Sequence, residues 1–379
     1  MSDEAMLRER FPILAHKTYL NTCSYGALSI DVEASLKNYI ATRNEQGAAW
    51  DEWIGKLNAV RERLGRLLNV PPHDLAITSS LSEAVNALSS ALRFDGQRRK
   101  IIVTEFDFPT TAQIWRAQAV RGAEIVTVAA PQERLDMKGF DRLIDDRTTL
   151  VSVPSVCYWN GATIDLTPVI KLARERGAAV FVDAFQSVGT YPFDALASGA
   201  DFVAGGCTKY LIGGSGLGFL YVRDSMTVGF SPTRTGWFAQ RDPNAMNAAA
   251  HEAAPDARRF EAGTPSVASL YCAEAGLALL ASLPAETIWK QIASLTDQIK
   301  SEAHRAGLAL ATPIERGAHG AMIAIRAEHD AQLVEQLIAD GVILTSRAGN
   351  LRVSPHFYNN AADIDALFAA LRRHRHLIG

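Results

Sequence analysis

Short apolar runs alternate with helical runs through the middle of the chain, from residue 75 to residue 222. The predicted strands are Leu75–Ser79, Ile101–Thr104, Glu124–Val128, Thr149–Val153, Ala179–Asp183, Asp201–Ala204 and Leu217–Val222. Helical runs separate several of these strands, at Ser82–Leu92, Thr111–Val120 and Pro168–Arg176. Strands joined by helical crossovers run parallel, and a parallel sheet needs helices on both faces. The alternation therefore predicts an α/β domain built on a mostly parallel sheet.

The pattern changes after Thr264. Two long helical runs are followed by two apolar strands and a closing helix, at Ser266–Ala281, Ala285–Ala306, Ala321–Ile325, Val342–Thr345 and Ala362–Arg373. We therefore expect a large domain at residues 19–264, a smaller α+β domain at 265–379, and an N-terminal arm at 1–18 that packs with the small domain. Residues 230–262 have no clear period, which predicts a long loop.

Composition and charge narrow the class of protein. The 379-residue chain is 48% hydrophobic, with a formal net charge of −3 and no long run of one sign, which predicts no nucleic-acid partner. It has neither a membrane-length apolar run nor a signal-peptide core, so we expect a soluble, cytoplasmic protein without a membrane partner. The four cysteines, Cys23, Cys157, Cys207 and Cys272, have no metal-binding spacing, which predicts reduced thiols and no metal site.

Two charged residues follow neighbouring predicted strands. Asp183 ends the run AVFVD, and open α/β sheets bind ligands at the carboxyl ends of their strands. Lys209 follows the next strand among glycines, which let the backbone approach a planar ligand. Taken singly, Asp183 could be structural and Lys209 an ordinary surface lysine. Together they supply what a pyridoxal ring needs, because the amine can condense with its aldehyde and the carboxylate favours its protonated nitrogen.

The segments VDAFQSVG and CTKYLIGGSG resemble the class V, aspartate-aminotransferase-like (fold type I) family of pyridoxal-phosphate enzymes. The resemblance extends from about Tyr19 to Asp365. It implies pyridoxal 5'-phosphate held by Lys209 as a Schiff base, with Asp183 at the ring nitrogen. The family includes aminotransferases, cysteine desulfurases, kynureninases and isopenicillin-N-epimerase-like proteins.

The resemblance also implies contacts to the cofactor phosphate. In ITSSLSEAVNAL, the amides of Leu81 and Ser82 and the Ser82 hydroxyl would bind the phosphate at a helix N-terminus. The local alternative is that Ser82 only caps the helix, with Ser79 or Ser80 assisting. Thr208, just before the lysine, would add a hydroxyl.

Two further phosphate contacts implied by the resemblance involve the later part of the large domain. Thr264, in EAGTPSV, would reach the phosphate of a neighbouring subunit, so the resemblance implies a homodimer with shared sites. Trp237, in TGWFAQRDP, is similar to a tryptophan near the phosphate in kynureninases. The alternative for Trp237 is an aromatic residue at the rim of a mobile loop.

The contacts to the cofactor ring involve three segments. Phe108, in EFDFPTT, would stack on the ring, with Phe106 as the second choice and a core aromatic as the alternative. In SVCYWNGATIDL, Tyr158 stands where the family has asparagine, and Asn160 lies two residues on, so both are candidates for the ring oxygen. Gln186 would lie near the same oxygen.

Substrate contacts are implied near both ends of the chain. Arg352, in NLRVSPHFYN, would pair with the substrate α-carboxylate in a bidentate geometry that lysine cannot copy. We expect Arg347 to be solvated and His356 to make a structural hydrogen bond. Tyr25 and Gly26, in YLNTCSYGALS, would line the substrate pocket.

The resemblance implies a reaction at the Cα of an amino acid, and we expect an aminotransferase. Kynureninase-, epimerase- or carbon–sulfur-lyase-like reactions are alternatives, and a non-catalytic pyridoxal-phosphate-binding protein is a more distant one. The absence of cysteine after Cys272 argues against a desulfurase, and Thr111 stands where kynureninases have an acidic residue. Arg234 or Arg241 in the long loop could bind a second substrate carboxylate.

Overall fold

The computed structural model describes residues 3–379, so Met1 and Ser2 of the predicted arm lie outside the described residues. The helices are α1 (Asp3–Glu9), α2 (Ile30–Gln46), α3 (Trp50–Leu68), α4 (Leu81–Ala91), α5 (Pro109–Ala117), α6 (Met137–Leu143), α7 (Leu166–Glu175), α8 (Ala195–Ser198), α9 (Asp224–Thr227), α10 (Val267–Ala281), α11 (Ala285–Arg305), α12 (Asp330–Ala339) and α13 (Ala361–Arg373). The strands are β1 (Thr18–Tyr19), β2 (Leu75–Thr78), β3 (Lys100–Thr104), β4 (Glu124–Val128), β5 (Thr148–Pro154), β6 (Ala179–Asp183), β7 (Phe202–Gly206), β8 (Gly218–Val222), β9 (Ile323–Arg326), β10 (Val342–Ile343), β11 (Thr345–Arg347) and β12 (Asn350–Val353).

A seven-stranded sheet forms the centre of the molecule, in the order β2-β8-β7-β6-β5-β3-β4. Strands β3 to β7 pair in parallel, whereas β8 runs antiparallel to both β7 and β2. β2 therefore points the same way as β7, and the carboxyl ends of these strands meet at one edge. The predicted α/β fold with a mostly parallel sheet is confirmed.

Alternate residues of β6 contribute to two separate cores, one on each face of the sheet. Val180 and Val182 join the larger apolar cluster, whereas Phe181 joins a second cluster beneath α4 and α5. In that second cluster Trp115 packs edge-on against Phe181, with ring centres 5.8 Å apart. A strand covered on both faces has to be apolar along its whole length, which is why AVFVD was recognisable as a strand.

A three-stranded antiparallel sheet, β11-β12-β9, lies in the C-terminal part of the chain. Leu295, Ile299, Leu351 and Phe368 belong to the core that it shares with α11 and α13. α10 instead packs against α2 and α3 and contributes to the core of the central sheet. The domain boundary at residue 264 therefore stays a prediction.

The N-terminal segment contacts the C-terminal elements directly. Arg8 donates to Asp363 at 2.7 Å, and β1 pairs in parallel with β10. The run Val342–Thr345 was predicted as one strand. It instead belongs to two strands, β10 and β11, because the chain passes from the pair with β1 to the three-stranded sheet at the buried Leu344.

Within residues 3–379, no single helix is long and apolar enough to cross a bilayer. α10 and α11 reach that length and composition only as a pair, which is bent by 85° at its break.

Candidate active site

The carboxyl edge of the central sheet brings together segments that follow five different strands. Asp183 ends β6, and Lys209 lies three residues beyond the end of β7. The N-terminal segment closes against the same edge, where the Gly26 amide donates to the Thr208 carbonyl at 2.8 Å. A Cβ at Gly26 would lie 2.4 Å from the Lys209 carbonyl oxygen, so a residue without a side chain is required there.

The Lys209 amine lies between two aromatic rings. Its Nζ is 4.2 Å from the centre of the Phe185 ring and 5.6 Å from the centre of the Phe108 ring. Burial lowers the pKa of Lys209 to about 8, although the charge of Asp183 partly opposes this shift. About a tenth of the amine is therefore neutral at pH 7, far more than for an ordinary lysine, and the neutral amine is the form that attacks an aldehyde.

The Asp183 carboxylate is buried and hydrogen-bonded through both oxygens. Oδ1 accepts from the Phe185 amide at 3.0 Å, and Oδ2 accepts from the Thr111 hydroxyl at 3.3 Å. Burial raises the pKa of Asp183, whereas the Phe185 amide, the Lys209 charge and the Thr111 hydroxyl act in the opposite direction. Such a carboxylate can accept a hydrogen bond from a protonated ring nitrogen.

Three buried polar atoms near this edge lack a partner in the part of the chain that the structure describes, namely Asp107 Oδ1, Gln186 Oε1 and Arg352 Nε. The last two belong to residues that were predicted to bind the cofactor or the substrate. Gln186 Nε2 donates to the Cys23 carbonyl at 3.1 Å, so its amide is held in place beside Asp183. Buried polar atoms are rarely left unpaired in folded proteins, so these two atoms fit a site that holds a polar ligand.

The N-terminus of α4 follows β2 at the same edge. Ser80 is the N-cap, because its Oγ accepts from the Glu83 amide at 3.1 Å, whereas Ser82 Oγ shares a hydrogen bond with Thr110 Oγ1 at 2.9 Å. The alternative that Ser82 caps the helix is therefore wrong. The amides of Leu81 and Ser82 belong to the first turn, whose N–H groups have no intrahelical partner. A phosphate is a suitable acceptor for them, which stays a prediction.

Of the aromatic candidates for the ring, Phe108 and Tyr158 are accessible. Phe108 is 38% exposed at the start of α5, and its ring meets that of Tyr158 edge-on at 4.9 Å. Phe106 is fully buried against Trp159 in the core of the sheet, so its position does not fit the stacking role.

Asn160 makes structural contacts with both ends of its amide. Nδ2 donates to the Glu133 carbonyl at 3.1 Å, and Oδ1 accepts from the Ala162 amide at 3.0 Å. Because Asn160 is fully buried and bonded, Tyr158 is the residue of the pair that remains available to a ligand.

Arg352 is buried on β12 without a carboxylate partner among residues 3–379. Its Nη2 donates to Thr345 Oγ1 at 2.8 Å, and its Nη1 donates to the Tyr158 carbonyl at 3.1 Å. Thr345 is itself held by Asn21 Oδ1 at 3.1 Å. A buried guanidinium without a counter-charge is costly, so its position suits an anionic ligand.

His356 is fully buried and structural. Its Nδ1 accepts from the Phe357 amide at 2.7 Å, so its Nε2 carries the proton that is donated to the Tyr210 carbonyl at 2.9 Å. Burial lowers the pKa of His356 to about 4, which keeps the ring neutral. Its side chain therefore supports the backbone of Tyr210, next to Lys209, and the predicted structural hydrogen bond is confirmed.

Tyr25 and Thr264 lie in loops, and Trp237 begins a short 3₁₀ helix at Trp237–Ala239. The Tyr25 hydroxyl accepts from the Ser215 amide at 3.1 Å, whereas Trp237 packs edge-on against Trp50 with ring centres 6.0 Å apart. Thr264 is exposed and lines a cavity of about 180 Å³ together with Ser79 of its own chain. Their roles in binding substrate and phosphate stay predictions.

Thr111 is a site residue that the sequence did not reveal as a partner of Asp183. It is fully buried, and its hydroxyl bonds the carboxylate from 72 positions earlier in the chain. The sequence carried no signal for this pair, because only the packing of α5 beside β6 brings the two residues together.

The chain is similar to known proteins over most of its length. A family model described as aminotransferase class-V matches residues 31–367. The chain is 31% identical over 94% of its length to the uncharacterized aminotransferase YcbU of Bacillus subtilis, of which it covers 94%. It is 29% identical over 89% of its length to a kynureninase of Deinococcus radiodurans, of which it covers 84%.

Solved structures share the fold at lower sequence identity. A cysteine desulfurase of Thermococcus onnurineus superposes with a TM-score of 0.88 at 19% identity, over 99% of this chain and 98% of that one. The cystine C–S lyase C-DES, in complex with cysteine persulfide, gives a TM-score of 0.86 at 21% identity, over 95% of this chain and 98% of that one.

Proposed function

The chain belongs to the aminotransferase class-V family of pyridoxal-phosphate enzymes, and on that premise we propose that it transaminates an amino acid. The observation that carries the proposal is the set of Lys209, Asp183 and Arg352 around one edge of the sheet. Lys209 has a lowered pKa, Asp183 is a buried carboxylate, and Arg352 is a buried guanidinium without a carboxylate partner in residues 3–379. The similarity to an aminotransferase over 94% of both chains supports the same reaction.

Each of these residues has a defined task in such a reaction. Pyridoxal phosphate, when bound, supplies an electron sink for negative charge at the substrate Cα. Arg352 orients the substrate by binding its α-carboxylate through two N–H groups. Lys209 Nζ would accept the Cα proton of the substrate as a general base. Asp183 would hold a proton on the ring nitrogen of the bound cofactor, and Phe108 would stack on its ring.

The experiment that tests transamination separates its products from those of elimination. Purified holoenzyme is incubated with single amino acids, and keto acid, pyruvate, ammonia and pyridoxamine phosphate are measured. The proposal expects a keto acid that keeps the carbon skeleton of the amino acid, formed together with pyridoxamine phosphate. Pyruvate and ammonia without pyridoxamine phosphate would refute it, and a cofactor spectrum that responds to no amino acid would favour a non-catalytic protein.

Kynureninase activity is the second candidate, because relatives with that name are 29–30% identical over 89% of the chain. Thr111 counts against it, because the family resemblance places an acidic residue there in kynureninases. The two candidates are distinguished by adding kynurenine and measuring the release of anthranilate. Rapid release would replace the aminotransferase proposal.

A homodimer is part of the proposal. Five large apolar side chains of α2 and α3 are exposed in the single chain, namely Ile30, Leu36, Ile40, Trp50 and Ile54. Clustered exposed apolar residues mark a protein interface. The exposed Thr264 is then available to complete the site of the partner, as the family resemblance implies.

A further inference from the structure

Two arginines project from one face of the small sheet. Thr345 on β11 lies opposite Arg352 on β12, and Arg347 lies two residues beyond Thr345. Because side chains alternate along a strand, Arg347 and Arg352 are on the same face. Diagonal neighbours of this kind have Cβ atoms about 7–8 Å apart, which is within reach of two arginine side chains.

Neither arginine is neutralised by a carboxylate of residues 3–379. Arg347 donates from Nη1 to the Ser346 carbonyl at 3.0 Å, and Arg352 donates to a hydroxyl and a carbonyl. Arg326 of β9 contrasts with them, because it lies in the same row, opposite Asn350, and pairs with Glu133. Two adjacent unpaired cations repel each other, and anions that bind both relieve the repulsion.

Tyr158 connects Arg352 with the aromatic residues near Lys209. Its carbonyl binds Arg352, and its ring meets Phe108. Burial raises the pKa of the Tyr158 hydroxyl, and both Arg347 and Arg352 act to lower it. The exposed Arg347 and the buried Arg352 therefore both act electrostatically on the Tyr158 hydroxyl.

The other arginines considered for a second carboxylate are already paired. Arg234 forms an ion pair with Glu83, and Arg241 lies 3.7 Å from Glu252. A second acid would have to displace these carboxylates, whereas Arg347 has no such competitor in the described chain. Arg347 is therefore a better candidate than Arg234 and Arg241 for binding a second carboxylate of the substrate.

We propose that the substrate is a dicarboxylic amino acid, with Arg352 binding the α-carboxylate and Arg347 binding the acidic side chain. The proposal rests on the proposed function, because it names the substrate class of the same site. A charge-assisted pair between the side-chain acid and Arg347 distinguishes aspartate and glutamate from their amides.

The first test compares kcat/KM for glutamate and aspartate with kcat/KM for glutamine, asparagine and alanine. The acids are expected to exceed their amides by about 10- to 100-fold, the value of a hydrogen bond to a charged group. Arg347→Gln should remove most of this preference, because it should lower the values for the two acids far more than the values for their amides and for alanine. Arg93→Gln is the matched control, because Arg93 is exposed just beyond the far end of α4.

The second test needs no turnover and separates this inference from the proposed function. Glutarate and butyrate are titrated into the holoenzyme, and their affinities are measured by calorimetry. If glutarate binds more tightly than butyrate and this difference is lost in Arg347→Gln, a site formed by Arg347 and Arg352 is supported even if no amino acid is transaminated. Equal affinities, or a glutarate preference that survives in Arg347→Gln, overturn the inference even if transamination is observed.

Discussion

At the scale of single residues, the surroundings of Asp183 shift its pKa in two opposite directions. Its burial favours the neutral acid, whereas an amide, a hydroxyl and the nearby Lys209 favour the carboxylate. The balance matters because only the ionised form can stabilise a positive charge on the ring nitrogen. Thr111 is the one contributor among these that can be removed without altering the backbone or the lysine.

Thr111→Val keeps the shape of the side chain and removes the hydrogen bond to Asp183. We expect kcat to fall by about threefold to tenfold with little change in KM, because a hydrogen bond of this length contributes at the low end of the usual range. Steady-state kinetics of transamination measure the effect. Thr111→Ser should restore most of the rate, and equal rates for the valine variant and the wild type would show that the contact is unimportant.

Because His356 is buried and neutral, we expect the free energy of unfolding to depend on pH. Its pKa is about 4 in the folded chain against 6.5 for a free imidazole, so the unfolded chain binds the additional proton between these values. The contribution of the neutral ring to the free energy of unfolding is fully present above pH 6.5. It is lost as the pH falls towards 4, and the loss is on the order of 3 kcal/mol.

The measurement is urea unfolding of the apoprotein at several pH values. His356→Gln should lower stability at pH 7.5 but lose less than the wild type as the pH falls to 4. Parallel pH profiles for the two proteins would contradict the proposed tautomer and its burial.

At the scale of elements, the start of α4 is positioned by its packing against β8. A Cβ at Gly218 would lie 2.5 Å from the Ser80 carbonyl carbon and 2.8 Å from the Leu81 amide nitrogen. Gly218→Ala should therefore displace the first turn of α4 and weaken cofactor binding by about tenfold or more. Titration of apoprotein with pyridoxal phosphate, followed by absorbance, measures this affinity.

Gly96→Ala is the matched control for that experiment, because a Cβ at Gly96 meets no atom within 4 Å. Its affinity for the cofactor should equal that of the wild type. If Gly218→Ala also binds normally, the N-terminus of α4 does not hold the phosphate.

The elements differ in how far the sequence could predict them. β6 was recognisable because both of its faces are buried, so AVFVD is apolar throughout. No element was predicted at residues 30–68, where the structure has α2 and α3. α2 has Val32 on its buried side and Leu36 and Ile40 exposed, so its apolar residues do not mark one face.

The residues of the site could likewise be predicted only in part. Lys209 and Asp183 were recognisable because each follows a strand that ends at the same edge. The choice between Tyr158 and Asn160 could not be made from the sequence. It depends on hydrogen bonds between the Asn160 side chain and the backbone of Glu133 and Ala162. Long-range packing determines such contacts, and one sequence does not encode them locally.

At the scale of the whole molecule, the exposed apolar side chains of α2 and α3 predict a dimer. Ile40 is 52% exposed, and Ile40→Asp would place a charge in the proposed interface. We expect wild-type protein to have twice the mass of one chain by light scattering, and Ile40→Asp to be a monomer with weakened cofactor binding.

Ile338→Asp is the control for this experiment, because Ile338 is similarly exposed on α12 in the C-terminal part. It should remain a dimer that binds the cofactor normally. A monomeric wild type would remove the basis for assigning Thr264 to the site of a partner.

The covalent link between Lys209 and the cofactor is the claim on which the rest of the account depends. Holoenzyme is treated with borohydride and digested, and the peptide that carries the cofactor is identified by mass spectrometry. The account predicts one labelled peptide, modified at Lys209, and no label in Lys209→Ala treated in the same way. A label on a different lysine, or no label on the wild type after cofactor loading, would contradict it.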